Sequence, residues 1–398
     1  MSTRPYELVL HGATGFVGRL VAEHLVAHAG GARVALSGRS AERLAALRDR
    51  LGVDWPLLVT DATDAESVAT LARSADTVAT TVGPYGKYGL PLVRACAAAG
   101  TAYCDLTGET LFVRDSADAA HDEAVRTGAR IVHSAGFDSV PSDLGVWLLH
   151  QRVRADGTGT LTGTAQVVVS ARGGVSGGTV DSMRSELDSA ASRPAVFADP
   201  YALSPDRAAD PARTDEKDPL LPAKDDLLGR WVAPNPFGPH DSRIVRRSNA
   251  LLGHAYGPGF RYREWLAVPA GPVGAVLVTA GLGAFAGGMR FGPTRALLGR
   301  VLPAPGDGPS ESARRNGHFR VEVHTETTTG ARYVATVAAA GDPGYAATAV
   351  IFGEAGLSLA LDPLTSPGGV LTPAVALGDA LVERLRARSV ELSVTRTR

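Results

Sequence analysis

Short apolar runs alternate with helical patterns along the first 145 residues of the chain. The apolar runs predict strands, and the stretches between them predict helices. Because a helix follows each strand, we expect right-handed βαβ units and a parallel sheet that helices cover on both faces. The predicted strands are Glu7–Leu10, Arg33–Leu36, Leu57–Thr60, Thr77–Thr81, Ala102–Asp105 and Arg130–His133, and the predicted helices are Phe16–Ala29, Ala41–Leu51, Ala65–Ala72, Leu90–Ala99 and Ser116–Thr127.

The pattern changes after Asp143. Charged and apolar residues alternate from His318 to Glu326, and Thr329-Gly330 fits a turn, which predicts a hairpin with one solvated face. The other predicted features are a long strand, a Pro- and Asp-rich surface loop and three helices. The hairpin strands are Gly317–Thr328 and Ala331–Ala340, the long strand is Gly163–Ala171, the loop is Asp199–Asp226, and the helices are Val180–Ala191, Tyr345–Leu361 and Pro373–Arg388.

These patterns predict an α/β protein of two domains, in agreement with a length of 398 residues. Residues 1–145 are expected to form a doubly wound parallel sheet. Residues 146–370 are expected to form an α+β domain with a mixed or antiparallel sheet. Residues 371–398 are expected to form a helix and a strand that pack back on the first domain.

Composition narrows the class of protein. A formal net charge of -1 provides no positive field for nucleic acid. Two cysteines, Cys96 and Cys104, make no disulfide framework, which favours a reducing cytoplasm. The ten histidines show no ligand spacing, so no metal is expected. The first strand follows no basic and apolar leader, so no signal peptide is expected.

One segment complicates a cytoplasmic location. Trp265–Met289 carries no charge and is rich in glycine and alanine. Its length admits a membrane span, but its apolar run is weak for one. Two interpretations stay open at this point. The segment is either a buried or half-buried helix, or it contacts a membrane surface or an acyl chain.

A glycine-rich turn links the first predicted strand to the first predicted helix. It reads Gly12-Ala13-Thr14-Gly15-Phe16-Val17-Gly18. Glycines at these positions allow a tight turn, close approach of a pyrophosphate and close packing of the helix on the strand. The amides at the helix N-terminus then face the phosphates. After a strand and before a helix, this motif predicts a dinucleotide site on a Rossmann domain.

The end of the second predicted strand distinguishes NADP from NAD. An NAD site places an acid there, whereas this chain has Gly38, Arg39 and Ser40. A guanidinium pairs with the 2′-phosphate, so the sequence predicts NADP(H). Asp61, after the third strand, is expected either to contact the adenine amino group or to cap the following helix.

Candidate catalytic residues follow the fourth and sixth strands. The turn after the fourth strand holds Thr81, Val82, Gly83 and Tyr85, at the edge of the sheet where the nicotinamide is expected. Tyr85, Asp138 and Ser139 are the candidates, against the alternatives of a loop aromatic and a helix-capping carboxylate. No tyrosine has a lysine four residues later, which argues against a short-chain dehydrogenase. Further candidates are Tyr88, His133, Arg184 and Glu186.

Long motifs lie along nearly the whole chain, among them AGFDSVPSDLG, DPGYAAT and GGVLTPAVALGDAL. They resemble motifs of saccharopine dehydrogenase-like oxidoreductases, most closely the actinobacterial trans-acting enoyl reductases. The resemblance implies a Rossmann domain, NADP(H) and a substrate bound against a second domain. Trans-acting enoyl reductases saturate double bonds of polyketide lipids for a synthase that lacks this activity. The matching motifs are HGATGFVG, SGR, TVGPYGKYGLPLVRACAAAGTAYCDLTGE, AGFDSVPSDLG, PGDGPSESARRNGHF, DPGYAAT and GGVLTPAVALGDAL.

The expected function is therefore NADPH-dependent reduction of a carbon–carbon double bond in an acyl or polyketide-type substrate, presented on a synthase acyl carrier. Two alternatives stay open. One is a saccharopine dehydrogenase-like oxidoreductase of an amino acid or imine. The other is a non-catalytic NADP-binding protein that contacts lipid through residues 265–289.

Overall fold

The computed structural model describes residues 4–173, 191–205, 216–291, 293–294 and 310–398. The predicted helix Val180–Ala191 lies outside them except for Ala191, as do Arg184, Glu186 and residues 206–215 of the predicted loop. The described strands are β1 (Tyr6–His11), β2 (Val34–Gly38), β3 (Leu57–Val59), β4 (Ala75–Thr80), β5 (Ala102–Asp105), β6 (Arg130–Val132), β7 (Leu161–Arg172), β8 (Ala223–Asp225), β9 (Arg230–Pro234), β10 (Arg261–Ala267), β11 (His318–Thr327), β12 (Arg332–Ala340), β13 (Gly369–Leu371) and β14 (Glu391–Arg396).

Helices connect and cover these strands. A π-helical turn at Pro343–Ala347 leads into the eleventh helix in the numbering used here. The α-helices are α1 (Phe16–His28), α2 (Ala41–Leu51), α3 (Ala65–Ser74), α4 (Tyr85–Ala99), α5 (Thr110–Thr127), α6 (Val140–Asp156), α7 (Pro194–Ala198), α8 (Gly238–Leu251), α9 (Gly271–Arg290), α10 (Glu311–Arg315), α11 (Thr348–Leu361), α12 (Pro373–Ala376) and α13 (Gly378–Ala387).

The first sheet is parallel, with strand order β13-β6-β5-β4-β1-β2-β3. Helices cover both of its faces. Leu8 and Leu10 of β1 pack with α1, α2 and α11, whereas Val9 packs with α3, α4 and α5 on the opposite face. Successive side chains of a strand point to opposite faces of the sheet, so the residues of one apolar strand pack into the hydrophobic cores on both faces. The predicted Rossmann sheet is confirmed.

The second sheet is mixed, with strand order β14-β12-β11-β7-β10-β9-β8. β10 runs parallel to β7, and the other described pairs are antiparallel. The predicted hairpin is present as β11 and β12, with Val321 opposite Val337. Helix α6 packs on this sheet through Val146, Leu149 and Val153. The predicted mixed sheet is confirmed.

The C-terminal chain contributes to both sheets. Helix α11 packs on α1 and on the first sheet through Ile351 and Phe352. β13 extends the first sheet beside β6, with Val370 opposite Ile131. β14, which we expected to pack on the first domain, instead extends the second sheet beside β12. The domain limits at residues 145 and 370 therefore do not follow the membership of the two sheets.

Candidate cofactor and active site

The glycine-rich turn forms a cradle that side chains would fill. Gly12 has a φ of +83°, and a Cβ there would lie 2.8 Å from Oγ1 of Thr81. A Cβ on Gly18 would lie 2.2 Å from the carbonyl oxygen of Gly12. Gly15 caps α1 without a side-chain hydrogen bond, so no described side chain caps the first helical amides. This backbone surface fits a pyrophosphate at the helix N-terminus.

The three predicted cofactor segments meet at the carboxyl edge of the first sheet. β1 lies between β2 and β4, which places the crevice between the two halves of the sheet beside the glycine-rich turn. Oγ1 of Thr81 donates to the carbonyl oxygen of Gly12 at 3.1 Å. A Cβ on Gly38 would lie 3.7 Å from Oγ1 of Thr14. Ala13 is fully buried and donates its amide to the Ser37 carbonyl oxygen.

A buried polar chain that the sequence analysis missed runs beneath this edge. Nδ1 of His11 lies 3.0 Å from Oγ of Ser37, which donates to Oγ1 of Thr60 at 3.0 Å. Burial lowers the pKa of His11 to about 4, so its ring is neutral at physiological pH. Nε2 of His11 has no hydrogen-bond partner among the described residues. No motif in the sequence indicates this chain, because His11 lies in β1, Ser37 lies in β2 and Thr60 follows β3.

Arg39 lies exposed directly after β2. Ser40 caps α2 by accepting from the amide of Arg43 at 3.3 Å. Asp61 is exposed and accepts from the amide and hydroxyl of Thr63, and these hydrogen bonds, followed by the charge of Arg39, lower its pKa. The cap of α3 is Asp64 and not Asp61. Arg39 and Asp61 thus flank the place where the adenosine end of the cofactor is expected.

Tyr85 begins α4, and its side chain is buried. Its hydroxyl donates to the carbonyl oxygen of Thr80 and accepts from the amide of Leu106, both at 3.3 Å. Burial, with the charge of Asp105 in second place, raises its pKa well above the usual value. Glu109, which the sequence analysis did not single out, caps α4 by accepting from the amides of Tyr85 and Gly86 at 2.8 Å. The tyrosine therefore anchors the turn after β4, and its hydroxyl bonds to the backbone.

Asp138 and Ser139 lie between β6 and α6. Asp138 is accessible to solvent but densely surrounded by protein, and this desolvation raises its pKa to about 6. Ser139 is buried, and its hydroxyl donates to Oδ1 of Asp241 at 2.7 Å. Burial and the charges of Glu264 and Asp138 raise the pKa of Asp241. Asp138 is thus an accessible acid whose charge acts on the buried carboxyl group of Asp241.

Glu264 completes a group of three carboxyl side chains, with Asp138 and Asp241. It accepts from the hydroxyl of Tyr262 and from Nδ2 of Asn235, both at 2.8 Å. Burial raises the pKa of Glu264 to about 7 despite these hydrogen bonds. Because like charges in such a place oppose ionisation, this group retains protons near neutral pH.

Helix α8 carries Asp241 to the edge of the first sheet, and His240 holds that helix in place. Nε2 of His240 lies 2.9 Å from Oγ of Ser134, and Nδ1 lies 3.1 Å from Oγ1 of Thr110. Burial lowers the pKa of His240 to about 3. The candidate His133 is likewise hydrogen-bonded at both ring nitrogens, with Nδ1 2.7 Å from Asp105 and Nε2 2.6 Å from Ser116. Both histidines have structural partners at both ring nitrogens.

Comparison with known proteins agrees with this geometry. Residues 8–132 match the family model described as the saccharopine dehydrogenase NADP binding domain. A solved structure of apo saccharopine dehydrogenase (L-Glu forming) from Saccharomyces cerevisiae has the same fold, with a TM-score of 0.54 at 15% identity over 98% of this chain and 99% of that chain. The fold and the cradle define an NADP(H)-dependent oxidoreductase with the architecture of saccharopine dehydrogenase, and the predicted cofactor is confirmed.

Full-length relatives identify the family. A trans-acting enoyl reductase of Mycobacterium ulcerans strain Agy99 is 48% identical over 416 residues, covering 99% of this chain and 98% of the relative. One of Mycobacterium tuberculosis strain H37Rv is 46% identical over 413 residues with the same coverage. Another H37Rv protein, provisionally given the same name, is 50% identical over 415 residues, again with the same coverage. The chain belongs to the trans-acting enoyl reductase family.

Proposed function

We propose that this protein uses NADPH to reduce a carbon–carbon double bond in an acyl thioester of polyketide type. The observation that carries the proposal is the name shared by relatives that are 46–50% identical over 99% of this chain. A trans-acting enzyme receives its substrate from another protein, so the proposed partner is a synthase that presents the acyl chain on its carrier. We also propose a cytoplasmic location, where the free and buried Cys96 and Cys104 stay reduced.

The cofactor residues follow from the cradle. Gly12–Gly18 would hold the pyrophosphate with their backbone, and Arg39 with Ser40 would bind the 2′-phosphate. Asp61 would accept from the adenine amino group, and Thr81–Tyr85 would shape the nicotinamide end. NADPH, when bound, supplies the hydride for the reduction.

The residues after β6 would supply the proton. Saturation of an enoyl thioester needs charge stabilisation at the thioester oxygen and a proton at the α-carbon. Asp138 can carry a proton, since its pKa is about 6, and it can regain a proton from solvent, since its side chain is accessible. We assign Asp138 as the proton donor, with Ser139 and Asp241 as positioning residues. Tyr85 is assigned the positioning of the nicotinamide turn, because its hydroxyl bonds to the backbone.

The carboxyl side chains of the site favour an uncharged thioester over an amino diacid as the substrate. The charges of Asp138 and Glu264 both act on the buried Asp241 and raise its pKa. Near neutral pH Asp138 is the first of the three to ionise, because its pKa is about 6. A substrate with two carboxylates would meet this negative charge, at a cost that grows in a desolvated site. An acyl thioester carries no such charge.

The proposal is tested by NADPH oxidation with an enoyl chain on an acyl carrier, and with the same chain on free pantetheine. We expect turnover with both and a lower KM for the carrier-bound form. An amino diacid with NADP⁺ serves as the comparison substrate. Turnover of the diacid, with NADPH left unoxidised by saturating enoyl substrates, would show that the chemistry is of the saccharopine dehydrogenase type.

A further inference from the structure

Helix α9 is apolar and largely uncovered. Ala275 near its start packs against Ala233 of β9. Val273 is 63% exposed and Leu277 is 66% exposed, although both are large apolar side chains. In the second half, from Ala280 to Gly287, every residue except Leu282 is exposed. Trp265–Met289 was expected to be a buried or half-buried helix, and full burial is wrong for this half.

The composition of α9 suits lipid better than water. Residues Gly271–Met289 have a mean hydropathy of 1.5, and 17% of this stretch is buried. A helix that is apolar on all sides is normally enclosed by protein or by lipid. α9 also contains six glycines, each of which disfavours a helix in water. In a bilayer the backbone must satisfy its own hydrogen bonds, which favours the helix.

A second apolar helix provides an internal contrast. Pro343–Leu361 passes the same length and composition test, with a mean hydropathy of 1.4. It is 67% buried, because it covers the first sheet. The apolar surface of that helix is explained by the protein core. Apart from the packing of Ala275 and Val278 beside β9, the apolar surface of α9 is largely exposed in the described part of the chain.

The charge pattern of the sequence at the end of α9 indicates which lipid would cover it. The helix ends at Arg290, and the sequence contains no acidic residue between Glu264 and Asp307. A basic residue at the end of an apolar helix complements anionic phospholipid headgroups. In a parallel pairing, a second copy of the same helix would bring like charges together at this end. Charge complementarity therefore favours an anionic bilayer over self-association.

The topology excludes a simple membrane crossing by α9. The preceding strand, β10, and the following hairpin strand, β11, both pair with β7 in the second sheet. Both ends of the segment must therefore stay on the same side of a membrane. We propose that α9 is a monotopic anchor that inserts into the surface of an anionic phospholipid bilayer.

Flotation of the full chain with phospholipid vesicles tests the anchor without requiring turnover. We expect the protein to float with vesicles of phosphatidylcholine and phosphatidylglycerol, and several-fold less with phosphatidylcholine alone. The variant Val276→Glu/Leu277→Glu should reduce the bound fraction at least tenfold. The matched control is Val59→Glu/Val125→Glu, which alters two exposed valines of the first sheet and its helices. The control should float like the unaltered protein, and all forms should bind NADPH equally, which verifies folding.

Three results would overturn the anchor. The first is failure of the unaltered protein to float with anionic vesicles. The second is loss of a concentration-dependent dimer, without vesicle binding, when Val276 and Leu277 are replaced, because a second copy then covers the helix. The third is a loss of enoyl turnover in that variant with unchanged flotation, since the helix would then contact the acyl substrate. Flotation is measured without substrate, so its failure leaves the proposed reduction untouched.

Discussion

Replacing Gly18 by alanine tests whether the cofactor cradle depends on close contact between α1 and the preceding turn. The new Cβ would lie 2.2 Å from the carbonyl oxygen of Gly12 and 3.0 Å from Cα of Ala13. This is about 1 Å closer than a favourable van der Waals contact. Both neighbours are backbone atoms, so the helix or the turn must move by a similar amount.

The expected magnitude follows from two opposing terms. Overpacking of this kind costs about 1–3 kcal/mol. Alanine is favoured over glycine inside a helix by about 1 kcal/mol, which offsets part of that cost. We therefore expect a net loss of stability of up to about 2 kcal/mol. Displacing the turn should also weaken a charge-assisted hydrogen bond to the cofactor phosphates, at about 1.5–3 kcal/mol, or roughly 10- to 100-fold in Kd for NADPH.

Thermal unfolding without cofactor and fluorescence titration with NADPH measure the two effects separately. Gly283→Ala is the matched control, because a Cβ at this helical glycine meets nothing within 4 Å. The control should be as stable as the unaltered protein, or more stable by up to about 1 kcal/mol, with unchanged affinity for NADPH. If Gly18→Ala matched the control in both measurements, the close approach would not be needed and the reasoning would be refuted.

Three further predictions concern cofactor choice, proton supply and stability. Arg39→Asp should raise Kd for NADPH about 30-fold, from loss of about 2 kcal/mol of phosphate pairing, with a much smaller effect on NADH; equal effects on both cofactors would contradict the assignment. Asp138→Asn should lower kcat by roughly 100-fold or more. In the unaltered protein kcat should fall as the pH rises through about 6, since the acid must be protonated. If the Asp138→Asn variant showed the same fall in kcat, Asp138 would not be the proton donor. Glu354→Gln should destabilise the protein by about 3 kcal/mol at pH 7, because the carboxylate is buried and accepts from His24 at 2.9 Å and Arg388 at 2.8 Å. Burial acts to raise the pKa of Glu354, but the hydrogen bonds outweigh it, so the pKa in the folded protein is lowered from 4.5. The difference in unfolding free energy between the two proteins should therefore be complete above about pH 4.5 and shrink as the pH falls below it. If urea titrations showed a constant difference at lower pH, the loss of stability would have another cause.

Local patterns predicted the first sheet and its cofactor because their causes lie within a few neighbouring residues. Leu8, Val9 and Leu10 are consecutive apolar residues, and that alone indicates a strand covered on both faces. The left-handed φ of Gly12 and the missing side chain of Gly18 are local demands that glycine meets. Helix starts were predicted less well. α4 begins at Tyr85 and not at Leu90, because its cap, Glu109, comes from another part of the chain.

The proposed proton-donating cluster was predicted only in part. Asp138 and Ser139 follow a strand and could be found from their position in the chain. Asp241 and Glu264 could not, since neither belongs to a recognisable motif. Burial raises both pKa values, and the charge of Glu264 adds to the rise for Asp241, so they depend on how α8 and β10 pack in the folded chain.

By itself, the sequence determined a Rossmann sheet, a phosphate-binding turn and a preference for NADP(H), because backbone conformation, strand burial and phosphate charge are matched by residues close in the chain. Tertiary structure alone decided that α11 covers the first sheet while β14 extends the second, and that Asp241 meets Ser139. It also decided that α9 is left uncovered, although Pro343–Leu361 passes the same apolar test and is buried. Burial and pairing between distant segments depend on how the whole chain packs, and no single segment carries that information.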